Sequence, residues 1–116
     1  MARARPLTGK VLVLLCDPIR TPPFSKAARI EAGMLIRLLQ DGIMIGLPHS
    51  RPMPSVGKRC HELRIVDETV TWRLFYRIDS DAIGVIERLA KKTNKTPRPT
   101  IEVCERRLRQ YDDIRN

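Results

Sequence analysis

Alternating apolar and charged residues predict two β-strands in the second half of the chain. Residues His61–Ile65 and Thr71–Tyr76 both alternate at period two, which is typical of strands that bury one face. The polar residues Asp67–Thr69 between them form a connection of hairpin length. A hairpin centred there places Arg64 opposite Arg73, on the same face of the sheet. Directly opposed like charges destabilise a sheet unless an anion lies over them, so this face is predicted to bind a phosphate or a carboxylate.

A third strand is predicted from Ala82 to about Leu89, after a turn at Asp79–Asp81. A tight hairpin at this turn would place Glu87 opposite Arg73 and bring Lys91 out on the same face. The meander would therefore collect Arg64, Arg73, Glu87 and Lys91 on one side. The register is inferred from the turn positions, and a slip of one residue would send every side chain to the other face.

The first half of the chain predicts one strand, one helix and a long loop. Residues Lys10–Cys16 form a continuous apolar run, which favours an interior strand buried on both faces. The next segment, 17–24, contains three prolines and is predicted to be a loop. Ser25 can cap a helix that ends at Asp41-Gly42. Residues 43–58 are rich in Gly, Pro and Ser and are predicted to form a surface loop. His49 and Arg51 are exposed candidates for ligand contact on it, although the loop position favours a solvated side chain for each.

Apolar spacing predicts which side chains pack the core. In the first helix, Ala28, Ala32, Leu35 and Leu39 share one side, and Ile30, Met34 and Leu38 widen the apolar arc. The long loop is expected to pack through Leu47, Met53 and Val56. A last helix, capped by Thr100, carries a narrow stripe of Ile101, Cys104, Leu108 and Tyr111.

Composition favours a polyanionic partner. The 116 residues fit one domain, and 22 basic against 13 acidic residues give a formal net charge of +9. Such a surplus suits RNA, DNA, a ribosome or an acidic protein, while 4% aromatic residues argue against base stacking. Three widely spaced cysteines predict neither a disulfide framework nor a zinc site and fit a reducing cytoplasm. The apolar run Val11–Cys16 is too short for a signal peptide or a membrane span, so we expect a soluble protein.

Five short segments carry a resemblance to a known family. In chain order they are Thr21–Ser25, Leu47–Pro52, Glu62–Arg64, Trp72–Arg77 and Lys91–Pro97. In their order and spacing they resemble the RelE/ParE superfamily of bacterial toxins, and in particular its HigB-like, phage-derived host-inhibition branch. The resemblance extends from about Thr21 to Tyr111. It implies one α+β domain over residues 1–116: a small, mainly antiparallel twisted sheet (an N-terminal strand plus the three-stranded meander), an N-terminal helix or helical hairpin, and a C-terminal helix.

The function implied by the resemblance is that of the toxin of a type II toxin–antitoxin system. Such a toxin is a cytoplasmic mRNA interferase, a metal-independent endoribonuclease without cofactors that acts on messages in the ribosomal A site. Its expected partners are mRNA on the ribosome and a cognate antitoxin of the helix-turn-helix type. Two alternatives remain open: a ParE-like toxin that binds gyrase and cuts no RNA, and a basic RNA- or ribosome-binding module without activity.

The resemblance also assigns roles to residues. Arg64, Arg73 and the cluster Lys91, Lys92 and Lys95 match basic positions of the family. Cleavage of RNA by its own 2′-hydroxyl requires in-line positioning and cations where charge develops, and the arginine fork suits phosphate oxygens. We therefore expect Arg73 on the scissile phosphate, Arg64 on the same or an adjacent phosphate, and Lys91 at the leaving oxygen.

The other assignments are less direct. Glu62 and Glu87 are the carboxylates near enough to act as base, and Glu87 could instead orient Arg73. The RNA-binding set is Lys92, Lys95, Arg51 and Arg77. Tyr111 matches a catalytic tyrosine of some relatives by location, but its place on the apolar stripe favours packing. His61, Trp72 and Tyr76 share the face opposite Arg64, which favours a structural role for all three.

Overall fold

One mixed sheet with a helix on each side makes up the part of the protein that the computed structural model describes, residues 9–91 and 94–115. The elements are, in order, β1 (Val11–Leu14), α1 (Lys26–Gln40), β2 (Ser50–Pro52), β3 (Cys60–Val66), β4 (Thr71–Ile78), β5 (Ala82–Lys91) and α2 (Arg98–Arg115). The strands are arranged in the order β1-β5-β4-β3-β2. β1 runs parallel to β5 and the other neighbours are antiparallel. The predicted meander and the α+β class are confirmed. Of the two N-terminal possibilities, a helix or a helical hairpin, the described residues contain a single helix between β1 and β2.

Alternation along β3, β4 and β5 divides the apolar residues between two cores. On one face, Leu63, Leu74 and Val85 pack with the buried side of α1. On the other face, Phe75 and Ile86 pack with Cys104, Leu108 and the partly buried Ile101 of α2. A period of two in the strands and of three to four in the helices is what such a layered arrangement requires. None of the helices in the described residues is long and apolar enough to span a membrane.

The boundaries of α1 follow from local chemistry. The Ser25 hydroxyl accepts a hydrogen bond from the Ala28 N–H at 3.0 Å, which satisfies one of the unpaired donors of the first turn. At the other end Gly42 adopts φ 87°, a left-handed conformation that ends a helix at little cost for glycine. Both predicted ends are confirmed.

Asp67 fastens the β3–β4 turn to the start of α1. Its carboxylate accepts hydrogen bonds from the Ser25 N–H at 3.0 Å, the Trp72 indole N–H at 3.1 Å and the Glu68 N–H at 2.7 Å. The Trp72 ring stacks on Phe24 at 3.9 Å between centroids. The backbone hydrogen bond from Ser25 is the main cause that lowers the pKa of Asp67 from 3.8 to about 2. The turn therefore holds α1 in place through an ionised carboxylate.

Substituting Asp67 with asparagine should change how stability depends on pH. Because the folded protein lowers this pKa, the stabilisation is complete above the usual value near 3.8 and is lost as the pH falls from there towards about 2. The Asp67→Asn variant should thus be less stable than the parent at pH 7, and the difference should shrink between pH 4 and pH 2. Urea unfolding across this range measures it, with the exposed Asp113→Asn as control. A difference that stays constant down to pH 2 would contradict the role of the Asp67 charge.

The prediction for the first strand was wrong. β1 covers only Val11–Leu14, and it is an edge strand with largely exposed side chains instead of an interior strand. An apolar run of this length indicates a strand, but it does not reveal whether the strand lies inside the sheet or at its edge, nor how much of it other elements cover. The outer arc of α1 was also mispredicted: Ile30, Met34 and Leu38 are exposed, while Ile36 is buried.

The long loop and the β5 register also differ from the predictions. Residues 43–58 contain the short strand β2, and Leu47 is exposed although Met53 and Val56 are buried as predicted. The β4–β5 hairpin pairs Ile78 with Ile83, one residue further along than predicted, and a β-bulge between Phe75 and Tyr76 adds a second residue of shift. Leu89 therefore lies opposite Arg73, and the predicted pairing of Glu87 with Arg73 is wrong.

The last helix begins earlier than predicted. It starts at Arg98, with Pro99 in its first turn, where a missing N–H costs nothing. Thr100 is therefore inside the helix and does not cap it.

Candidate functional site

Two rows of polar side chains cross β2, β3 and β4 on the α2 side of the sheet. In the first row Arg64 is paired with Arg73, as predicted. In the second row Arg51 is paired with Glu62, and Glu62 with Phe75. The Phe75 ring belongs to the core under α2, so the polar residues lie beside that core, towards the β3–β4 turn. The cluster thus holds three arginines and one carboxylate, which leaves it with a net positive charge.

Glu62 holds two of these arginines through their Nε atoms. One carboxylate oxygen accepts a hydrogen bond from Arg51 Nε at 3.0 Å, and the other accepts one from Arg73 Nε. Both Glu62 and Arg73 are only 1% exposed, whereas the Arg51 side chain is 41% exposed. Burial of both charges of the Glu62–Arg73 pair is tolerable because each charge has the other as partner and further hydrogen bonds compensate for lost hydration. Glu62 therefore orients the arginines; the carboxylate expected to do this was Glu87.

Thr96 covers the inner arginine. Arg73 Nη2 donates a hydrogen bond to the Thr96 hydroxyl at 2.8 Å, and the guanidinium lies 5.6 Å from the Phe75 ring centroid. Thr96 belongs to the connection between β5 and α2, where Lys95 is exposed. The hydroxyl oxygen occupies a position at which an anionic oxygen could accept the same hydrogen bond. Access to Arg73 thus depends on this connection.

Arg64 is the more accessible arginine of the Arg64–Arg73 pair. Its side chain is half-buried, and no hydrogen bond or ion pair with residues 9–91 or 94–115 engages its guanidinium. It stands directly across from Arg73, whose Nε is already committed to Glu62. A half-buried cation without a counter-charge is electrostatically costly next to a second one, and an anion bound between them would offset that cost.

His49, a candidate for ligand contact on the predicted loop, lies in the first row, and its pairing with Arg64 was not predicted. Its carbonyl oxygen accepts a hydrogen bond from the Arg64 N–H at 2.7 Å, which continues the β2–β3 ladder by one position. The next residue, Ser50, turns its hydroxyl to the opposite face, where it lies 2.6 Å from the Tyr76 hydroxyl. Because side chains alternate along a strand, the exposed imidazole of His49 is placed on the face of Arg64.

Two other predicted site residues lie elsewhere. Arg77 is buried at the far end of the sheet, where it donates hydrogen bonds to Asp79 at 3.1 Å and to Asp112 at 3.0 Å and 2.7 Å. The hydrogen bond with Asp112 is the main cause that raises the pKa of Arg77, and the same contact lowers the pKa of Asp112. Glu87 lies 3.3 Å from Arg107 Nη1 of α2. Both residues fasten α2 to the sheet.

The lysine cluster is described only in part. The backbone of Lys91 pairs with Thr71 at the end of β5, Lys92 lies outside the described residues, and Lys95 is exposed. Tyr111 is half-buried, outside the two cores, with the guanidinium groups of Arg77 and Arg115 at 6.0 Å and 5.2 Å from its ring.

The free cysteines and Tyr76 are poor candidates for a second reactive centre. Burial raises the pKa of the Cys104 thiol to about 12 and that of Cys16 and Cys60 to about 11, so these free thiols stay protonated and poorly nucleophilic. Burial also raises the pKa of Tyr76. Three or more His, Cys, Asp or Glu side chains are nowhere grouped to hold a metal ion in the described part of the chain.

The fold and the site define a small α+β protein with a cationic cluster on one face of its sheet. Residues 23–109 match the family described as phage-derived protein Gp49-like (DUF891). The chain therefore belongs to this family, which is a RelE/ParE-like family of toxins in toxin–antitoxin systems and implies an antitoxin partner. The architecture is compatible with the RelE-like fold. No curated protein and no solved structure matches the chain.

Proposed function

We propose that this protein is an endoribonuclease toxin of the HigB-like kind that cuts mRNA at the cluster formed by His49, Arg51, Glu62, Arg64 and Arg73. The observation that carries the proposal is the Arg64–Arg73 pair, in which one guanidinium is locked by Glu62 and the other has no counter-charge in the described residues. Planar guanidinium forks fit phosphate oxygens in two-point contacts. A phosphodiester bridging the two arginines would supply the missing negative charge.

The reaction we propose is attack of a ribose 2′-hydroxyl on the adjacent phosphorus. The new P–O2′ bond forms while the P–O5′ bond breaks, which leaves a 2′,3′-cyclic phosphate and a free 5′-hydroxyl. One group must take the proton of the 2′-hydroxyl and one must give a proton to the departing 5′-oxygen. Arg64 and Arg73 stabilise the charge that develops on the phosphorane oxygens, which is where fixed cations accelerate such a step most.

Within this proposal His49 takes the proton from the 2′-hydroxyl. It is the exposed imidazole across the ladder from Arg64, and imidazole readily exchanges protons near neutral pH. Glu62 is engaged by Arg51 and Arg73 through both oxygens, so it positions cations and does not act as base. Lys91 remains the proposed proton donor to the leaving oxygen, and Lys92, Lys95 and Arg51 the proposed contacts to flanking phosphates.

The His49→Gln variant should lose about 100-fold in cleavage rate, which is in the range that general-base catalysis contributes. Its thermal midpoint should stay at the parental value because the side chain is exposed. Single-turnover assays on a fluorescent RNA measure the rate. His61→Gln is the matched control, because His61 stacks on Tyr76 on the opposite face. Equal rates for the His49 variant and the parent would remove His49 from the mechanism.

Expression in bacteria followed by mapping of RNA 5′ ends tests the function as a whole. We expect new ends within translated frames that disappear in the Arg73→Ala and Arg64→Ala variants. Cleavage of purified mRNA with and without ribosomes then decides ribosome dependence, and a single 2′-deoxy substitution should block the cut at that position. Damaged DNA with intact messages would instead identify a gyrase-directed toxin, and binding without either effect an inactive RNA-binding module.

A further inference from the structure

An apolar groove runs between α1 and β1, on the face of the sheet opposite the cationic cluster. It encloses about 270 Å³, and its apolar lining comes from Leu12, Leu14, Ile19, Ala32 and Ile36. Leu12 and Leu14 pair with Ile83 and Val85, whose side chains face α1, so they point to the α1 side as well. The groove thus belongs to a different surface from the proposed nuclease site and is independent of that function.

The β1 side of the groove is unusually apolar for an exposed surface. Leu12 is 40% and Leu14 is 42% exposed. Among the described strands β1 pairs only with β5, so it is an edge of the sheet. A contiguous exposed apolar surface bordered by polar residues commonly marks a site at which a protein binds a partner.

Gly33 forms part of the α1 wall, and no contact with residues 9–91 or 94–115 explains why this position is a glycine. It lies in the middle of the helix, where glycine costs about 1 kcal/mol relative to alanine. A Cβ atom placed there would meet no other atom within 4 Å, so no internal contact requires its absence. What the missing side chain provides is room in the groove for the close approach of another backbone.

Charge along the groove indicates the kind of partner. Arg29 lines the groove and is exposed, whereas Arg37 is paired with Asp41 at 3.9 Å and Lys26 lines a different pocket with Glu31 and Glu68. The Arg29 guanidinium complements acidic residues flanking an apolar stripe. A second copy of the chain would bring a net charge of +9 against +9, which disfavours self-association. The volume also lies below the range of about 300–1,000 Å³ that is usual for small-molecule sites.

We infer that the groove binds one amphipathic helix of another protein, which inserts a row of aliphatic side chains beside Gly33 and presents acidic residues to Arg29. Helices commonly dock in this way, through apolar residues three and four positions apart. The partner's helix would lie against both α1 and β1 and close the exposed edge of the apolar core.

Two helical peptides of about 18 residues, or five turns, test the inference. They share one leucine stripe and differ only in the residues beside it, which are glutamates in one peptide and lysines in the other. The full-length protein should bind the glutamate peptide at least about 10-fold more tightly than the lysine peptide in fluorescence anisotropy. The Arg29→Glu variant should reverse this preference.

Gly33→Leu fills the groove from its own wall and should weaken binding of the glutamate peptide by about 10-fold or more. The matched control is Gly46→Leu, at an exposed glycine outside the groove where an added Cβ also meets no atom within 4 Å; it should bind like the parent. The thermal midpoint of Gly33→Leu should be unchanged or higher, because leucine favours helix over glycine.

Several results would overturn the inference. They are equal binding of both peptides, no binding of the glutamate peptide, or unchanged binding by Gly33→Leu. A lower midpoint of Gly33→Leu would mean that the chain's own residues fill the groove. A concentration-dependent dimer in sedimentation velocity that Gly33→Leu abolishes would assign the groove to a second copy.

Discussion

Replacing Arg73 with lysine should lower the rate of RNA cleavage by about 1,000-fold, at the upper end of the loss seen when one preorganised donor to a developing charge is removed. Lysine keeps the positive charge opposite Glu62. It lacks the planar guanidinium, whose separate N–H groups can donate to the carboxylate and to a phosphate oxygen at the same time. In the present structure Arg73 uses Nε for Glu62 and Nη2 for the Thr96 hydroxyl. A phosphate oxygen that replaces this hydroxyl would receive the same hydrogen bond.

Single-turnover cleavage of a defined RNA measures this loss, and circular dichroism melting shows whether the variant folds. Arg106→Lys, at an exposed position of α2, is the matched control and should retain the parental rate. An Arg73→Lys variant that is folded and cuts RNA at the parental rate would show that Arg73 serves only the buried ion pair. A variant that does not fold would be replaced in the assay by Thr96→Val, which removes the hydroxyl that accepts the Arg73 Nη2 hydrogen bond and leaves Arg73 in place.

The part of the site that could be predicted from the sequence is the part fixed by a short turn. Residues 67–70 connect β3 to β4 directly, so the alternation of the flanking residues determines that Arg64 faces Arg73. The position of Glu87 could not be obtained in this way, because the β4–β5 turn is one residue wider than a tight hairpin and the bulge opposite Phe75 and Tyr76 shifts the following residues of β5 by one more. The extra residue of the bulge, Ile86, is apolar like Val85 before it, so the sequence pattern does not reveal the bulge.

The rest of the site depends on pairing between distant segments. β2 has only three residues and lies among prolines, so its composition is that of a loop, and only its pairing with β3 brings Arg51 to Glu62 and His49 to Arg64. The same limit explains β1. Its apolar run fits an interior strand as well as an edge strand, and tertiary pairing alone decides between them.

Substituting Glu62 with glutamine should destabilise the protein by about 3 kcal/mol, the lower end of the range for breaking a buried ion pair by removing one partner. The amide has the shape of the carboxylate, but it leaves Arg73 buried without a counter-charge and turns an N–H₂ group towards one of the two Nε donors. Urea unfolding measures the loss. Glu102→Gln, in an exposed pair with Arg98 on α2, should change stability by less than about 0.5 kcal/mol.

The same variant separates the two roles that a carboxylate could have at this site. If Glu62 positions Arg51 and Arg73, the cleavage rate falls at every pH, while the pH–rate profile keeps its shape because His49 still takes the proton. If Glu62 were the base, the acidic limb of the profile would disappear in Glu62→Gln and persist in His49→Gln. That second pattern would overturn the assignment, since a carboxylate whose two oxygens hold two guanidinium groups would have to release one of them to accept a proton.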